Sequence, residues 1–465
     1  MSSRCHRRSF LAAAGCGAGF LLLENSLSVR AYAANARLNV GLIGVTGRAG
    51  WFVQTMPQLA NVVAMCDVNR HRAGPVFEKF PGPRKFEDFR EMLDQMEREL
   101  DAVTVAIPDH THAAAALGAI KRRKHVLCEK PLTHDVSEAR ALREAAAQFK
   151  VATQMGNQGT ASEAYRQSVE LTQAGLLGDI REVYAWKDGG GTGDRPAPAG
   201  EFPPPDDLRW DLWLGPAAAR PYHPLWMKWH GWRDFATGNL GNWGAHILNL
   251  PFRALRLDTL WDADAPAEWR PKEKPVIRIK ARMSGIHPLT FPKWELVEFD
   301  FPARGPLPPV HVTWANGAGA PGARARVEEL MGRKLDWGDA GAKRWDDHGG
   351  CLLVGSRGML HTIAHNTTLT LLPAEKFKDF DLKSIPRALP RSRGHESEWV
   401  QACQGGPAAL SHFHYAGPLT EFLLLGNVAT LFDVPLEYDP LAGRILNHPG
   451  ADAALRRPRR KGWEL

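Results

Sequence analysis

Short apolar runs alternate with longer amphipathic stretches between residues 36 and 155. The runs that predict buried strands are LNVGLIG, NVVAMCD, DAVTVAIP, HVLCEKP and VATQMGN. The stretches FEDFREMLDQMEREL, HAAAALGAIKRRK and DVSEARALREAAAQFK predict helices. The last opens with Asp135 and, three residues later, Glu138, the pattern of a capping box. Because strands that alternate with helices form a parallel sheet covered on both faces, we predict a doubly wound α/β domain over residues 34–155.

The pattern changes after residue 156. Strand-like pieces with alternating polarity now dominate: IREVYAWKD, PVIRIKARMS, WELVEFDFP and PVHVTWANG. Connections rich in proline and glycine separate them, and the stretches SEAYRQSVELTQAGLLG, ESEWVQACQ and PLTEFLLLGNVATLF predict helices. We therefore predict an α+β domain with a large, mostly antiparallel sheet over residues 156–440, followed by a basic tail, residues 441–465.

The N-terminus reads as a targeting segment. Arg7 and Arg8 precede Phe-Leu and a weakly apolar stretch, and Ala31-Tyr32-Ala33 supplies an A-x-A cleavage site. This resembles a twin-arginine export signal over residues 1–33 and predicts a periplasmic or otherwise exported protein. A membrane anchor is the weaker alternative, because the apolar run is shorter than the ~20 residues of a spanning helix. Lipid attachment at Cys16 is a further alternative.

Composition and charge narrow the functional classes. The chain has 465 residues, of which 44% are hydrophobic and 23% charged, as in soluble globular proteins with two substantial cores. Much of the formal charge of +7 lies at the two ends, including five basic residues between positions 456 and 461. The body between them is close to neutral, so we expect no nucleic-acid partner.

The cysteines suggest no metal site. Those beyond the leader, Cys66, Cys128, Cys351 and Cys403, form no C-x-x-C pair and have no histidine spacing typical of zinc. Most lie in or beside apolar stretches, and we interpret them as small buried hydrophobic residues.

A glycine-rich turn follows the first predicted strand. VGLIGVTGRAG carries Gly44, Gly47 and Gly50, where glycines let the backbone approach a pyrophosphate at a helix N-terminus. Thr46 occupies the place of the second glycine in the usual G-x-G-x-x-G pattern, so the motif alone is weak. We include Thr46 and Arg48 of this turn among the predicted cofactor contacts. The alternative interpretation is a tight corner without a ligand.

The second strand ends in a carboxylate. Asp67 follows Gly44 by twenty-three residues, where an acidic side chain binds a ribose 2′-hydroxyl. Since a carboxylate there repels a 2′-phosphate, the sequence predicts NAD as the cofactor. Arg70, three residues further on, keeps NADP as an alternative.

Polar side chains follow three further strands. Because the carboxyl ends of parallel strands meet at one edge, we expect these side chains to converge on the crevice that binds the nicotinamide. The predicted cofactor contacts are Pro108, His110 and His112 after the third strand, Glu129 and Lys130 after the fourth, and Asn157 after the fifth. Gln158 is a predicted substrate contact, and Pro131 stops the fourth strand.

The motifs IPDHTH, CEKPLTHD, MGNQG and the C-terminal RRKGWEL resemble the glucose-fructose oxidoreductase / inositol dehydrogenase / rhizopine-catabolism (Gfo/Idh/MocA) family, in its exported bacterial branch. The resemblance implies that Lys130 contacts both the nicotinamide and the substrate hydroxyl and assists proton transfer. Lysine suits this role because an ammonium can steady a developing alkoxide and burial can tune its pKa. The alternative for Lys130 is a solvated charge at a strand end.

The resemblance also implies an aspartate and a histidine four residues apart on a helix of the second domain. The matching stretch is GNLGNWGAHILNL, in which His246 fits the histidine but Asn242 replaces the aspartate. An amide can accept a hydrogen bond but cannot exchange a proton at neutral pH. Acid-base chemistry would then fall on Lys130 and His246, with Asp234 or His230 as further candidates. His246 could instead be a core histidine.

Sixteen tryptophans are many for this length, and they cluster around residues 210–243. Because flat aromatic faces stack on the apolar faces of sugars, we predict that some line the substrate pocket. The candidates are Trp226, Trp229, Trp232 and Trp243, of which Trp232 and Trp243 are predicted substrate contacts together with Asn242 and His246. Core packing is the competing interpretation.

These features predict an exported NAD(P)-dependent oxidoreductase that transfers hydride to or from a hydroxyl-bearing carbon of a sugar or cyclic polyol. Since free NAD is scarce outside the cytoplasm, we expect a tightly bound cofactor. Two alternatives remain: a redox-neutral glycosidase acting through a transient keto-sugar, and a non-catalytic sugar-binding protein. The resemblance further implies a homo-oligomer, a dimer or tetramer packed through the second-domain sheet.

Overall fold

The computed structural model of the chain describes residues 37–317, 319–320, 322–335 and 349–464. The predicted export signal, residues 1–33, and the possible lipid site Cys16 lie outside the described residues.

The first domain is built on six parallel strands in the order β3-β2-β1-β4-β5-β6. The strands are β1 (Asn39–Ile43), β2 (Asn61–Cys66), β3 (Arg84–Phe86), β4 (Ala102–Val105), β5 (His125–Cys128) and β6 (Thr153–Met155). Five of them are the predicted strands, and the predicted parallel sheet is confirmed. Strand β3 is not predicted from the sequence, because its three residues include a single apolar side chain and show no periodicity.

Helices cover both faces of this sheet. They are α1 (Gly50–Leu59), α2 (Arg70–Lys79), α3 (Phe89–Gln95), α4 (Asp109–Lys121) and α5 (Val136–Phe149). Leu42 of β1 packs in one apolar cluster with Phe52 of α1, whereas its neighbour Ile43 packs on the opposite side in a cluster with Leu117 of α4. The capping box predicted at the start of α5 is present in both directions.

The second domain contains a nine-stranded sheet in the order β13-β12-β11-β7-β10-β9-β8-β14-β15. Its strands are β7 (Ile180–Lys187), β8 (Ile277–Met283), β9 (Glu295–Phe301), β10 (Val310–Asn316), β11 (Gly349–Gly355), β12 (Gly358–Ile363), β13 (Thr370–Leu372), β14 (Leu436–Asp439) and β15 (Arg444–Ile445). Within the described part of the chain, every neighbouring pair is antiparallel except β7 and β10. The predicted mostly antiparallel sheet is therefore confirmed.

Ten helices of the described residues accompany this sheet. They are α6 (Glu163–Gln173), α7 (Trp210–Leu214), α8 (Gly238–Asn242), α9 (Gly244–Ile247), α10 (Asn249–Ala254), α11 (Ala323–Met331), α12 (Ala374–Phe377), α13 (His395–Cys403), α14 (Phe413–Ala429) and α15 (Pro449–Ala453).

Helix α14 joins the two domains. It is buried along almost its whole length, against α5 on one side and the second-domain sheet on the other. Its Glu421 accepts hydrogen bonds from Arg140 of α5 at 3.1 Å, Trp261 at 3.0 Å and Tyr438 of β14 at 2.7 Å. A buried carboxylate with three donors fixes the domains relative to each other, since separating them would leave its charge unpaired.

The C-terminal segment predicted as a basic tail folds onto both domains. It contributes β15 and α15, and three of its arginines form ion pairs. Arg459 lies 3.3 Å from Asp135 and 3.2 Å from Glu138, at the start of α5, and Arg460 donates to the carbonyl of Gly215 at 2.8 Å.

No helix in the described ranges is both long and apolar enough to cross a bilayer. The four cysteines of the described residues are free thiols, and three of them are buried.

Candidate active site

A cavity of about 330 Å³ lies at the carboxyl edge of the first sheet, where loops of the second domain cover it. The first domain supplies its floor from the residues that follow β1, β2, β3, β4 and β5. The second domain supplies a roof of aromatic and polar side chains. The residues that line the cavity include Gly44, Thr46, Gly47, Arg48, Asp67, Arg72, Phe89, Pro108, Asp109, His112, Glu129, Lys130, Trp213, Met227, Trp229, His230, Asn242 and Trp463.

The glycine turn has the backbone that a pyrophosphate site needs. Gly44 has φ +88°, and a Cβ there would lie 2.2 Å from the carbonyl oxygen of Ala106, so only glycine fits between β1 and β4. Gly47 has φ +61° and also faces the cavity. Thr46 does not block the turn, because its hydroxyl lies 3.4 Å from Asp67 and points to that carboxylate. The residues present therefore fit a dinucleotide.

Asp67 is held rigidly at the end of β2. One carboxylate oxygen accepts from the backbone N–H of Val45 at 3.2 Å, and the other accepts from that of Asn69 at 3.0 Å. Burial raises the pKa of Asp67, while these hydrogen bonds and nearby Arg72 oppose the rise. The carboxylate is thus fixed at the cavity wall.

The basic residue near Asp67 is not the expected one. Arg70 is largely exposed, does not line the cavity, and is paired at 2.7 Å with Glu87, which does. Arg72 lines the cavity instead, beside Gly47. Arg72 is not predicted from the sequence, although its position in the first turn of α2, close after Asp67, is a signal for it.

Glu129 and Arg48 form an ion pair on the cavity floor. Arg48 Nε lies 2.6 Å from Glu129 Oε1, and the Glu129 side chain is buried. The space for this carboxylate depends on Gly156 after β6: a Cβ at that position would lie 2.8 Å from the Glu129 carboxyl carbon. The ion pair connects the glycine turn to the residues after β5, in which Lys130 directly follows Glu129.

Lys130 reaches across the cavity to the second domain. Its ammonium donates a hydrogen bond to the side-chain carbonyl oxygen of Asn242, at the end of α8. Burial lowers the pKa of Lys130, and the charges of Glu129 and Asp109 partly oppose this. The ammonium therefore does not point into bulk solvent, and its contact at residue 242 is an amide rather than a carboxylate.

Asp109 and His230 face the same cavity. Oδ2 of Asp109 accepts from the backbone N–H of Thr237 at 3.1 Å and from its hydroxyl at 2.7 Å. His230 stacks on Trp229 with ring centroids 3.6 Å apart. Partial burial lowers the pKa of His230, Asp109 opposes this and Lys130 adds to it. Asp109 lies within the IPDHTH motif, but the motif alone predicts no role for it, and His230 is predicted only as a further acid-base candidate.

The two histidines of the IPDHTH motif point in different directions, and only His112 lines the cavity. His112 lines the cavity, and its ring nitrogens lie 2.8 Å from the carbonyl oxygens of Pro131 and Ile107. His110 points into the domain interface, where Nε2 contacts the carbonyl of Trp213 at 3.0 Å and burial lowers its pKa to about 4. It does not line the cavity, because successive helical residues face different directions.

Five further predicted residues lie behind the cavity wall in the described part of the chain. They are Asn157, Gln158, Trp232, Trp243 and His246. Asn157 is fully buried and its side-chain oxygen accepts from Ser411 at 2.5 Å. Gln158 has a buried side-chain oxygen without a hydrogen-bond partner among the described residues. Trp232 packs edge-on against Trp226, with ring centroids 4.7 Å apart, so both belong to an aromatic core.

His246 is a buried histidine in this structure. The helical stretch around it is divided into α8 and α9 at Trp243, and only Asn242, at the end of α8, reaches the cavity. The ring of His246 lies 4.5 Å from that of His365, and 4% of the residue is exposed. Burial lowers its pKa strongly, and Lys130 and His365 lower it further. Trp243 lies beside it, with Lys187 above its ring at 4.5 Å.

Two aromatic residues and a methionine that the sequence patterns do not predict also line the cavity. Trp213 of α7, Met227 and Trp463 line it together with the predicted candidate Trp229. Trp463 belongs to the C-terminal RRKGWEL motif, which carries the family resemblance but gives no indication of where it folds. Its return to the first domain is a tertiary contact that local sequence patterns cannot reveal.

The first domain is similar in sequence to known proteins. Residues 38–157 match the profile of the Gfo/Idh/MocA group, described as an oxidoreductase family with an NAD-binding Rossmann fold. The first domain is similar to the Gfo/Idh/MocA family over these residues. Over 112 residues the chain is 37% identical to inositol 2-dehydrogenase of Rubrobacter xylanophilus, a match that covers 23% of this chain and 31% of that protein. Over 119 residues it is 32% identical to glucose-6-phosphate 3-dehydrogenase of Bacillus subtilis, covering 25% and 33%. The chain thus matches only about a third of the length of these relatives.

Solved structures extend the similarity in fold to most of the chain. The WlbA dehydrogenase of Bordetella pertussis, in complex with NADH and UDP-GlcNAcA, aligns with a TM-score of 0.57 and 13% identity over 86% of this chain and 97% of its own. The aldose-aldose oxidoreductase of Caulobacter crescentus, complexed with glycerol, aligns with a TM-score of 0.53 and 14% identity over 86% and 99%. At this identity the likeness concerns the fold alone, and it extends over both domains.

Proposed function

We propose that this protein is an NAD-dependent oxidoreductase that moves a hydride to or from a hydroxyl-bearing carbon of a sugar or cyclic polyol. The observation that carries the proposal is the position of Lys130: its ammonium lies in the cavity that the glycine turn and Asp67 open, bonded to a residue of the other domain. An alcohol beside that ammonium would lie between the two domains. Relatives that share the first domain are named for inositol, glucose 6-phosphate and levoglucosan.

Each group on the cavity floor has a proposed role. Gly44, Gly47 and the start of α1 would hold the pyrophosphate, and Asp67 the adenosine ribose. The Arg48–Glu129 pair would shape the floor on which the nicotinamide rests. The bound cofactor would accept or supply the hydride. Lys130 would hold the substrate oxygen and steady the negative charge that develops on it as its proton leaves.

NAD is favoured over NADP in this proposal. The fixed carboxylate of Asp67 would repel a 2′-phosphate, and Arg70, the basic residue that favoured NADP, is paired with Glu87. Arg72 is the remaining cation at this wall, and it keeps NADP as an outcome to be measured. We also propose that the cofactor is tightly held and that the protein is exported by the twin-arginine route with it. The C-terminal wall around Trp463 supports tight binding, because it covers part of the cavity.

The test combines mass spectrometry and turnover. The purified protein is denatured and the released nucleotide is identified as NAD(H) or NADP(H). The native protein is then incubated with NAD⁺ and, separately, myo-inositol, glucose 6-phosphate and levoglucosan while NADH absorbance is followed. We expect NADH to form with at least one of them. Release of 4-nitrophenol from 4-nitrophenyl glycosides without net NADH would instead indicate the redox-neutral glycosidase.

Two variants separate catalysis from binding alone. Lys130→Ala should reduce turnover by about a hundredfold or more while thermal stability and nucleotide content stay close to those of the wild type. Lys121→Ala, an exposed lysine at the end of α4, is the matched control and should leave turnover unchanged. Equal turnover in Lys130→Ala and the wild type would refute the proposed function and favour a sugar-binding protein.

A further inference from the structure

We propose that His230, assisted by Asp109, is the acid-base residue for the substrate hydroxyl, in place of the Asn242 and His246 pair; this rests on the proposed function. During oxidation the hydride leaves the carbon with its bonding electrons for the cofactor. The O–H electron pair becomes the second bond of the carbonyl, and the hydroxyl proton moves to a ring nitrogen of His230. The imidazolium then releases this proton to solvent, and the reverse steps serve reduction.

The groups expected from the sequence are poorly placed for this step. Asn242 lines the cavity, but its oxygen accepts a hydrogen bond from Lys130 and an amide cannot take up a proton near neutral pH. His246 is 4% exposed and does not line the cavity. A substrate hydroxyl in the cavity would therefore reach Asn242 but not His246.

His230 has the access that His246 lacks. It lies in the turn Trp229–Gly231, is exposed to the cavity, and its ring makes no hydrogen bond within the described ranges. Stacking on Trp229 fixes the plane of the ring at an angle of 26° to the indole and leaves its edge, which carries both nitrogens, open. An imidazole held by one face and unbonded at its edge can give and take a proton at the substrate.

Asp109 lines the same cavity, and hydrogen bonds from Thr237 fix its carboxylate. Its proposed role is that of a positioning residue, which acts through His230. Both hydrogen bonds from Thr237 go to Oδ2, and Oδ1 has no hydrogen-bond partner among the described residues. Two charged groups act on the His230 ring: Asp109 raises its pKa and Lys130 lowers it, while burial lowers it most. The net lowering leaves His230 neutral near neutral pH, the form that accepts a proton, and Asp109 stabilises the imidazolium that results.

The first experiment does not depend on turnover. The histidine rings are labelled with ¹⁵N, the His230 signals are assigned by their loss in His230→Gln, and the pKa of His230 is measured by NMR titration. In Asp109→Asn we expect this pKa to fall, because the carboxylate that favours the imidazolium is gone. An unchanged pKa would overturn the pairing of the two residues. Asp234→Asn, which removes a carboxylate outside the cavity, should leave the His230 pKa unchanged.

The second experiment measures the pH profile with the alcohol that the wild type oxidises. His230→Gln should lower kcat/KM by about a hundredfold and abolish the acid limb of its pH profile. Added imidazole should partly restore His230→Ala. His414→Gln, an exposed histidine of α14, is the control and should retain the wild-type profile. A His230→Gln enzyme with an intact acid limb would overturn the assignment, even if KM rises. Failure of the proposed function would be recognised earlier, in a wild type that forms no NADH.

Discussion

The indole ring of Trp463 lies edge-on to the ring of Phe89, with the two centroids 6.0 Å apart. Phe89 opens α3 in the first domain, whereas Trp463 is the third residue from the C-terminus. The guanidinium of Arg90 lies over the same indole, 4.3 Å from its centre. Because both Trp463 and Phe89 line the cavity, the last residues of the chain form part of the wall around the predicted cofactor site.

Trp463→Ala should therefore weaken cofactor binding. Removing the indole opens the wall to water and deletes its contacts, and loss of a buried aromatic anchor typically costs more than ~1 kcal/mol. We expect the dissociation constant for NADH, measured by fluorescence titration, to rise about tenfold. The protein should also retain less nucleotide through purification.

Trp269→Ala provides the matched control, because Trp269 is a half-buried indole that contacts Arg256 outside this cavity. It should bind NADH like the wild type. Equal affinity in Trp463→Ala and in the control would show that the C-terminal segment does not help to retain the cofactor.

The preference for NAD over NADP can be tested at Asp67. Asp67→Ser removes the charge that would repel a 2′-phosphate and leaves Arg72 on the same wall. The ratio of kcat/KM for NAD⁺ to that for NADP⁺ should fall at least tenfold. Asp94→Asn, an exposed acid of α3, should not change the ratio. A preserved ratio in Asp67→Ser would mean that this carboxylate does not select the cofactor.

Local patterns account for the elements that form the cavity floor. The strands that carry Gly44, Asp67, Pro108 and Lys130 at their ends are long enough for their apolar runs to be recognised, and parallel sheets place such ends together. The sequence therefore predicts which residues of the first domain meet. Strand β3 is not predicted, because three residues are too few to show a periodicity of apolar and polar side chains.

The roof of the cavity could not be predicted in the same way. His230 and Trp232 stand two positions apart in one aromatic cluster, yet the first faces the cavity and the second is 1% exposed in a core. Their directions depend on how an irregular loop packs on the first domain, which no helical or strand period encodes. Near Trp463, Arg459 and Arg460 attach the C-terminal segment to both domains, through contacts distant in sequence.

Gly156 should be intolerant of a side chain. A Cβ there would lie 2.8 Å from the Glu129 carboxyl carbon and 2.9 Å from its Cα, closer than real contacts allow. Gly156→Ala must therefore displace Glu129 and disturb its pairing with Arg48. We expect a loss of about 1–3 kcal/mol in the free energy of unfolding, typical of overpacking, and weaker NADH binding.

The matched substitution is Gly82→Ala, where a Cβ would meet nothing within 4 Å. Chemical denaturation of both variants gives the comparison. If Gly156→Ala is as stable as Gly82→Ala, the tight contact with Glu129 is relieved by a small backbone movement and the prediction is wrong.

Glu138 should make stability depend on pH. Burial, and then the charge of Asp135, raise its pKa to about 7 in the folded protein, although Arg459 opposes this. Since the folded state then binds a proton that the unfolded state has lost, the free energy of unfolding should decrease as pH rises from about 4.5 to about 7, by at most ~1.4 kcal/mol per pH unit from this group. Glu138→Gln should flatten that slope, whereas Glu144→Gln, exposed on the same helix, should not. A slope unchanged in Glu138→Gln would contradict the assignment.

Asn242→Asp would place a carboxylate, the group that the family resemblance implies at this position, beside the Lys130 ammonium. The direction in which this substitution shifts the pH profile of kcat/KM can be predicted. In the wild type, burial lowers the pKa of Lys130, and the hydrogen-bond partner of its ammonium is the neutral amide of Asn242. A carboxylate at that distance favours the charged ammonium and should raise the pKa by about one unit or more. If the protonated amine is the active form, the alkaline limb of kcat/KM marks its deprotonation and should move to higher pH by the same amount. Asn61→Asp, on the exposed start of β2, should leave the limb in place. An acid limb that moves to higher pH in Asn242→Asp, with the alkaline limb unchanged, would mean that Lys130 acts as the neutral amine, and the proton-accepting role would pass from His230 to Lys130.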